Sequence, residues 1–194
     1  MKFTFAPNRT YSYEEYMDLM TELVANNRTT GPNQTVSLID FTTLNLRRMT
    51  RLNKTLKLTD SLKDKLANRD EAQRWVVISE AWCGDAAQNL PILNLIAESS
   101  DKIQLDIILR DENEDIIDAF LTNGGRSIPK LIALDENNNV LFTWGPRPQR
   151  AQDMFTEHKK HPEAQTNEEF KLSLHTWYSK DKSSEVQKEF LELL

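Results

Sequence analysis

The sequence predicts an α/β fold. The expected sheet is mixed, mostly parallel with one antiparallel hairpin, and has helices on both faces. A helical N-terminal extension (residues 1–70) precedes this core (71–160), and a helical C-terminal tail (161–194) packs on it. Three observations carry this reading. Between 75 and 144, four short apolar runs alternate with segments of helical character, as strands do beneath covering helices. The last two runs are joined only by Asp135-Glu-Asn-Asn-Asn, which suits a hairpin and is too short for a parallel crossover. Only 5 glycines and 7 prolines punctuate 194 residues, leaving room for long regular elements.

Each element has its own warrant. Ser12 with Glu15 three positions on spells a capping box, and Tyr16, Leu19, Met20 and Leu23 then recur at helical spacing, so 11–27 is a helix. Asn27 to Asn33 is a loop. Residues 38–68 return to helical period through Leu44, Met49, Leu52, Leu56, Leu62 and Leu66, as one helix or two. Trp75-Val-Val-Ile-Ser is a strand buried on both faces. Residues 84–99 carry Ala86, Leu90, Leu93 and Ala97 on one stripe. A second strand covers 103–109, and a helix over 112–122 ends before Gly124-Gly125. Strands at 130–134 and 140–144 form the hairpin, and from 149 onward the chain is polar and helical.

Composition excludes several classes. With 24 Lys+Arg against 30 Asp+Glu the net charge is −6, the wrong sign for a general nucleic-acid backbone binder. The single cysteine, Cys83, excludes an internal disulfide framework and a four-thiolate zinc site. No apolar run approaches the ~20 residues of a membrane helix, so no membrane association is expected. The first ten residues lack the apolar stretch of a secretory signal, so a cytoplasmic location is expected, where a lone thiol stays reduced. The Asn-x-Thr triplets at Asn8, Asn27, Asn33 and Asn53 are then chance matches.

Chemistry concentrates at Trp82-Cys83-Gly84-Asp85-Ala86, between a buried strand and a helix. A thiol there faces unpaired backbone N–H groups and the positive end of a helix dipole, which favour the nucleophilic thiolate. Asp85 opposes this as a like charge. The stretch resembles the active-site turn of thioredoxin-like proteins, Trp-Cys-Gly-Pro-Cys. Pro91, eight residues after the cysteine, sits where that family kinks the helix, and Arg126-Ser127-Ile128-Pro129 precedes a strand as the family's cis-proline does. The resemblance covers about 75–160. It implies a thioredoxin-like fold, no bound cofactor, and a peptide- or thiol-binding groove formed by Ile128 and Pro129 beside Cys83.

The departures from that pattern shape the expected function. Ala86 replaces the second cysteine and cannot resolve a mixed disulfide. Asp85 replaces the motif's proline, and the family's buried acid falls at Val77. What remains is one-thiol exchange: Cys83 as nucleophile, Trp82, Gly84, Asp85 and Ala86 supporting it, and an external low-molecular-weight thiol releasing it. The partner would be a protein or small-molecule thiol or disulfide. The alternative is a redox-inactive adaptor binding a protein or peptide in the same groove, with Cys83 a small buried hydrophobe. Oligomeric state is open.

Weaker signals have bland readings. His158 and His161 fit a solvated helix face, with His175 remote across Pro162, and no metal site is expected. Asp111 to Asp115 begins like a calcium loop but has Ile116 where glycine is needed, so acidic capping fits better. Gly124-Gly125 suits a helix C-cap or an anion cradle. Arg126 and Lys130 flank Pro129 and would lower the thiol pKa if they faced the groove. Trp177-Tyr178 is expected to pack on the core, with a partner or dimer contact as the alternative.

Overall fold

The computed structural model describes residues 6–194. Helix α1 (Tyr13–Ala25) begins at the expected capping box: the Ser12 hydroxyl accepts from the Glu15 N–H at 3.2 Å, and the Glu15 carboxylate accepts from the Ser12 N–H at 2.7 Å. The second helical stretch is two helices, α2 (Val36–Thr55) and α3 (Asp60–Ala67), because the backbone turns extended at Leu56 and tucks Leu58 into the core. Strand β1 (Gln73–Ser79) leads through the motif into α4 (Gly84–Glu98), then β2 (Ile103–Leu109). The helix expected over 112–122 contracts to a 3₁₀ turn at Arg110–Glu112 and α5 (Glu114–Asp118). Thr122 and Gly125 then exchange backbone hydrogen bonds across Asn123 (φ 51°) and Gly124 (φ 77°), so Asn123-Gly124 forms a tight two-residue turn and the glycine pair is not a helix cap. The hairpin β3 (Lys130–Leu134) and β4 (Val140–Trp144) follows as expected, its turn pinned by the Asp135 carboxylate accepting from the N–H groups of Asn137 and Asn139, each at 2.8 Å. Helices α6 (Gln149–Lys160), α7 (Asn167–Asp181) and α8 (Ser184–Leu193) complete the chain.

The sheet order is β2-β1-β3-β4. It is mixed, but β1–β2 is its one parallel pair; β1–β3 and β3–β4 are antiparallel, which corrects the expectation of a mostly parallel sheet. The reason is length. Between β2 and β3, α5 spans only about 7–8 Å against about 23 Å for a seven-residue strand, so no crossover helix returns the chain along the sheet. It stays at one end, and β3 starts beside the point where β1 and β2 finish, with Lys130 paired to Ile78. That reversal brings Pro129 to the end of β1 where the motif begins.

One core runs through the molecule. Trp75, Val76, Val77 and Ile78 are fully buried, packed with Leu90, Leu93 and Ile96 of α4, Tyr16 and Met20 of α1, Met49 of α2 and Leu62 of α3. Phe190 of α8 enters the same core, its ring centroid 5.1 Å from Trp75 and 5.6 Å from Trp144. A second, smaller cluster joins Ala151 of α6 to Phe170, Leu174 and Tyr178 of α7. Among the described residues no helix is long and apolar enough to cross a membrane.

Candidate functional site

Cys83 is the N-cap of α4. Its Sγ accepts the Ala86 N–H at 3.4 Å and donates to the Ile128 carbonyl at 3.3 Å. The Ile128–Pro129 peptide bond is cis, so the sulfur and the proline loop face one another as the resemblance implies. Ala86 is buried directly beneath, and Pro91 lies buried inside α4, which continues through it without an N–H to offer the Ala87 carbonyl.

The expectation of a stabilised thiolate does not survive the geometry. Cys83 is only 7% exposed, and burial pushes its thiol up to about 12; the Asp85 charge adds to the rise. The N–H groups of Ala86 and Asp85 and the more distant Arg147 pull the other way and are outweighed. Loss of hydration around a charged sulfur costs more than a helix terminus returns, because the terminus acts only through the first turn.

Asp85 anchors a polar network that sequence reasoning missed. Its Oδ2 meets Arg147 Nη2 at 2.6 Å, and the Tyr178 hydroxyl donates to its Oδ1 at 3.1 Å. Asn89 Nδ2 donates to the Tyr178 oxygen at 3.3 Å and to the Asp85 carbonyl at 3.0 Å. Burial still raises the Asp85 pKa, with Arg147 and Tyr178 opposing it. Trp177-Tyr178 therefore splits: Tyr178 is buried at the motif, and Trp177 is partly exposed. Behind the proline loop lies a second cis bond, Gly145–Pro146; Gly145 has φ 106°, and a Cβ there would overlap the Pro129 carbonyl. The Gly-Pro pair was the available signal.

Val77 is apolar and buried in the sheet, but a buried acid sits three residues later. Glu80 is fully buried; its Oε1 accepts the Asp111 N–H at 2.9 Å, and its backbone carbonyl accepts the Cys83 N–H at 3.0 Å. Burial raises its carboxyl pKa.

The motif opens onto a cleft of about 1160 Å³. The motif and the proline loop form one side; Leu38, Phe41 and Arg48 of α2 and Phe155, Phe170, Leu174 and His175 of α6–α7 form the rest. Trp82 is half-buried under the Arg110 guanidinium, 4.9 Å from its ring centroid. Gly84 faces Arg48 and His175, whose Nη2 and Nε2 are 3.1 Å apart. Burial, aided by Arg48 and Lys171, lowers His175 to about 4, so this imidazole is neutral.

Arg126 lines the cleft but does not serve the thiol. It forks onto Asp118 at 2.6 and 2.7 Å and meets Glu114 at 2.8 Å, so its charge is already spent on carboxylates. Lys130 is buried and donates to the Thr122 hydroxyl at 3.2 Å, which removes it as well. His158 stacks on Phe170, with ring centroids 4.3 Å apart, while His161 faces Glu157 and Glu163; the two do not share a site. Asp111 pairs with Arg110 at 2.8 Å. Among the described residues no group of three or more His, Cys, Asp or Glu is placed to hold a metal ion.

Comparison with known proteins agrees with this arrangement. The thioredoxin family matches residues 31–160, well over half of the chain and including α2 of the extension. No curated protein matches. Among solved structures, a protein of unknown function from Pseudomonas aeruginosa is 22% identical, with 94% of this chain and 96% of that one covered and a TM-score of 0.59. An HIV epitope scaffold is also 22% identical, with 94% and 97% covered and a TM-score of 0.56. At that identity both speak to fold alone. The match over residues 31–160, with a cis-proline facing the cysteine of a Trp-Cys-Gly turn, places this chain in the thioredoxin family.

Proposed function

We propose that this protein is a thioredoxin-fold binding protein. It holds a peptide or protein segment in the cleft beside Ile128 and Pro129, with Cys83 as a neutral thiol on the cleft wall. The observation that carries this is the state of the sulfur. Cys83 is buried and engaged by both the Ala86 N–H and the Ile128 carbonyl, and that burial pushes its thiol up to about 12. At pH 7 that leaves on the order of one thiolate in 10⁵ molecules, too few for an efficient nucleophile. Ala86 removes the resolving thiol as well. What the site retains from the family is its groove.

A second reading, one-thiol exchange with an external low-molecular-weight thiol, is favoured by one contact set: the sulfur caps a helix and lies opposite a cis-proline. Incubation with excess oxidised glutathione at neutral pH, followed by intact mass measurement, separates the two. The binding reading expects Cys83 to stay unmodified over hours. A rapid, stoichiometric glutathione adduct on Cys83 overturns it in favour of exchange.

A further inference from the structure

The chain carries a net charge of −6, yet seven Lys and Arg residues line its cleft against two carboxylates, Asp85 and Glu168. Four of those cations are matched: Arg147 by Asp85, Lys171 by Glu168, Arg110 by Asp111, and Arg126 by Asp118 and Glu114. Arg48, Lys159 and Lys160 have no carboxylate partner among the described residues. Arg48 is the informative one. Its guanidinium is part-buried on α2, with Nη1 donating to Asn45 Oδ1 at 3.3 Å and Nη2 to His175 Nε2 at 3.1 Å. Three of its five N–H donors remain unused, and burial of its charge is offset only in part, by the Asp85 carboxylate that Arg147 already holds. It meets the motif at the one residue there without a side chain: a Cβ on Gly84 would stand 3.8 Å from Arg48 Nη1 and 4.0 Å from His175 Cε1.

We propose that the cleft selects acidic peptide segments, seating a ligand carboxylate in the corner between Arg48, His175 and the Gly84 backbone. The inference rests on the binding reading above and adds the charge and anchor of the ligand. A guanidinium recognises a carboxylate through paired, charge-assisted hydrogen bonds, stronger than neutral ones. The cleft is larger than the usual small-metabolite site, and Phe155, Phe170 and Leu174 give it apolar surface for intervening side chains. Neutral His175 accepts from Arg48, which holds the guanidinium in place without competing for the anion. The corner is built where α2 and α7 meet the first residue of α4.

The test is fluorescence anisotropy with a fluorescein-labelled peptide alternating Glu and Leu, compared with its Gln-for-Glu counterpart. The expected result is that the Glu peptide binds at least tenfold more tightly. Arg48→Ala lowers Glu-peptide affinity about ten- to hundredfold, the range for hydrogen bonds to a charged group, and brings it to the level of the Gln peptide. Gly84→Ala, which fills the corner while favouring the helix, does the same; Lys63→Ala, which removes a remote charge, does not. The His175 ring resonance should titrate at higher pH in the Glu-peptide complex, since the carboxylate offsets Arg48. Equal binding of both peptides, or a charge preference intact in Arg48→Ala and Gly84→Ala, overturns this inference and leaves the groove reading standing. Failure of both peptides to bind overturns the inference and the groove reading together. Displacement of the Glu peptide by glutarate or inorganic phosphate at equal concentration marks a small-anion site and overturns the peptide assignment.

Discussion

The ionisation of Cys83 is the quantity on which the functional reading turns, and it can be measured directly. Burial and the Asp85 charge lift the thiol to about 12 from an ordinary value of 9.0, so the thiolate population at neutral pH falls by about 10³. The greater intrinsic nucleophilicity of a high-pKa thiolate recovers only part of that, since reactivity rises by less than half a log unit per pKa unit. Iodoacetamide alkylation at pH 7 is therefore expected to run at least tenfold slower than for a cysteine peptide. It should return to the peptide rate in urea, and in the folded protein it should keep rising with pH beyond 10. Asp85→Asn removes the like charge and leaves the more distant Arg147 charge to act on the sulfur, so the midpoint should fall and the neutral-pH rate rise by about tenfold. A folded wild-type rate within threefold of the free peptide, or an unchanged midpoint in Asp85→Asn, refutes the account of burial and like charge.

Three further outcomes are expected. Arg147→Met leaves Asp85 buried without its cation and should cost about 3–5 kcal/mol by urea denaturation, with Asp85→Asn in the same chain restoring most of it. Glu80 has its pKa raised by burial, so its contribution to stability is complete below the unfolded carboxyl value near ~4.3 and is lost as pH rises through the higher folded value. Glu80→Gln should accordingly gain stability relative to wild type between pH 4 and pH 8, read as the difference in urea unfolding free energy across that range; a constant difference would contradict the assignment. Phe190→Ala, emptying a fully buried site against Trp75, Phe142 and Trp144, should cost about 3–5 kcal/mol in the same assay and would show that α8 belongs to the main core.

Local chemistry wrote much of this fold into neighbouring residues. The Ser12–Glu15 box, the β-branched run at Trp75–Ser79, the Asp135 turn and the apolar strands at 103–109 and 130–134 each announce themselves within a few positions, because capping, burial period and turn hydrogen bonding act over that distance. The facing of Cys83 and Pro129 was legible only through the family pattern of a Trp-Cys-Gly turn with a later Ile-Pro. The direction of β3 against β1 was not legible, since helical pattern over 112–122 overstated a connection that holds only five α-helical residues.

The sequence by itself determined an α/β chain with one thiol at a helix start, no second thiol to resolve it, and a proline loop ahead of a strand. The tertiary structure alone decided what that thiol is. Arg48, Arg147, His175 and Tyr178 lie from 35 to 95 positions away from Cys83, and nothing in their local pattern marks them as its neighbours. Desolvation depends on what packs around a group in space, so the ionisation of Cys83 was set by the core and the proline loop around its sulfur, and the charge of the cleft beside it by residues of helices α2, α6 and α7.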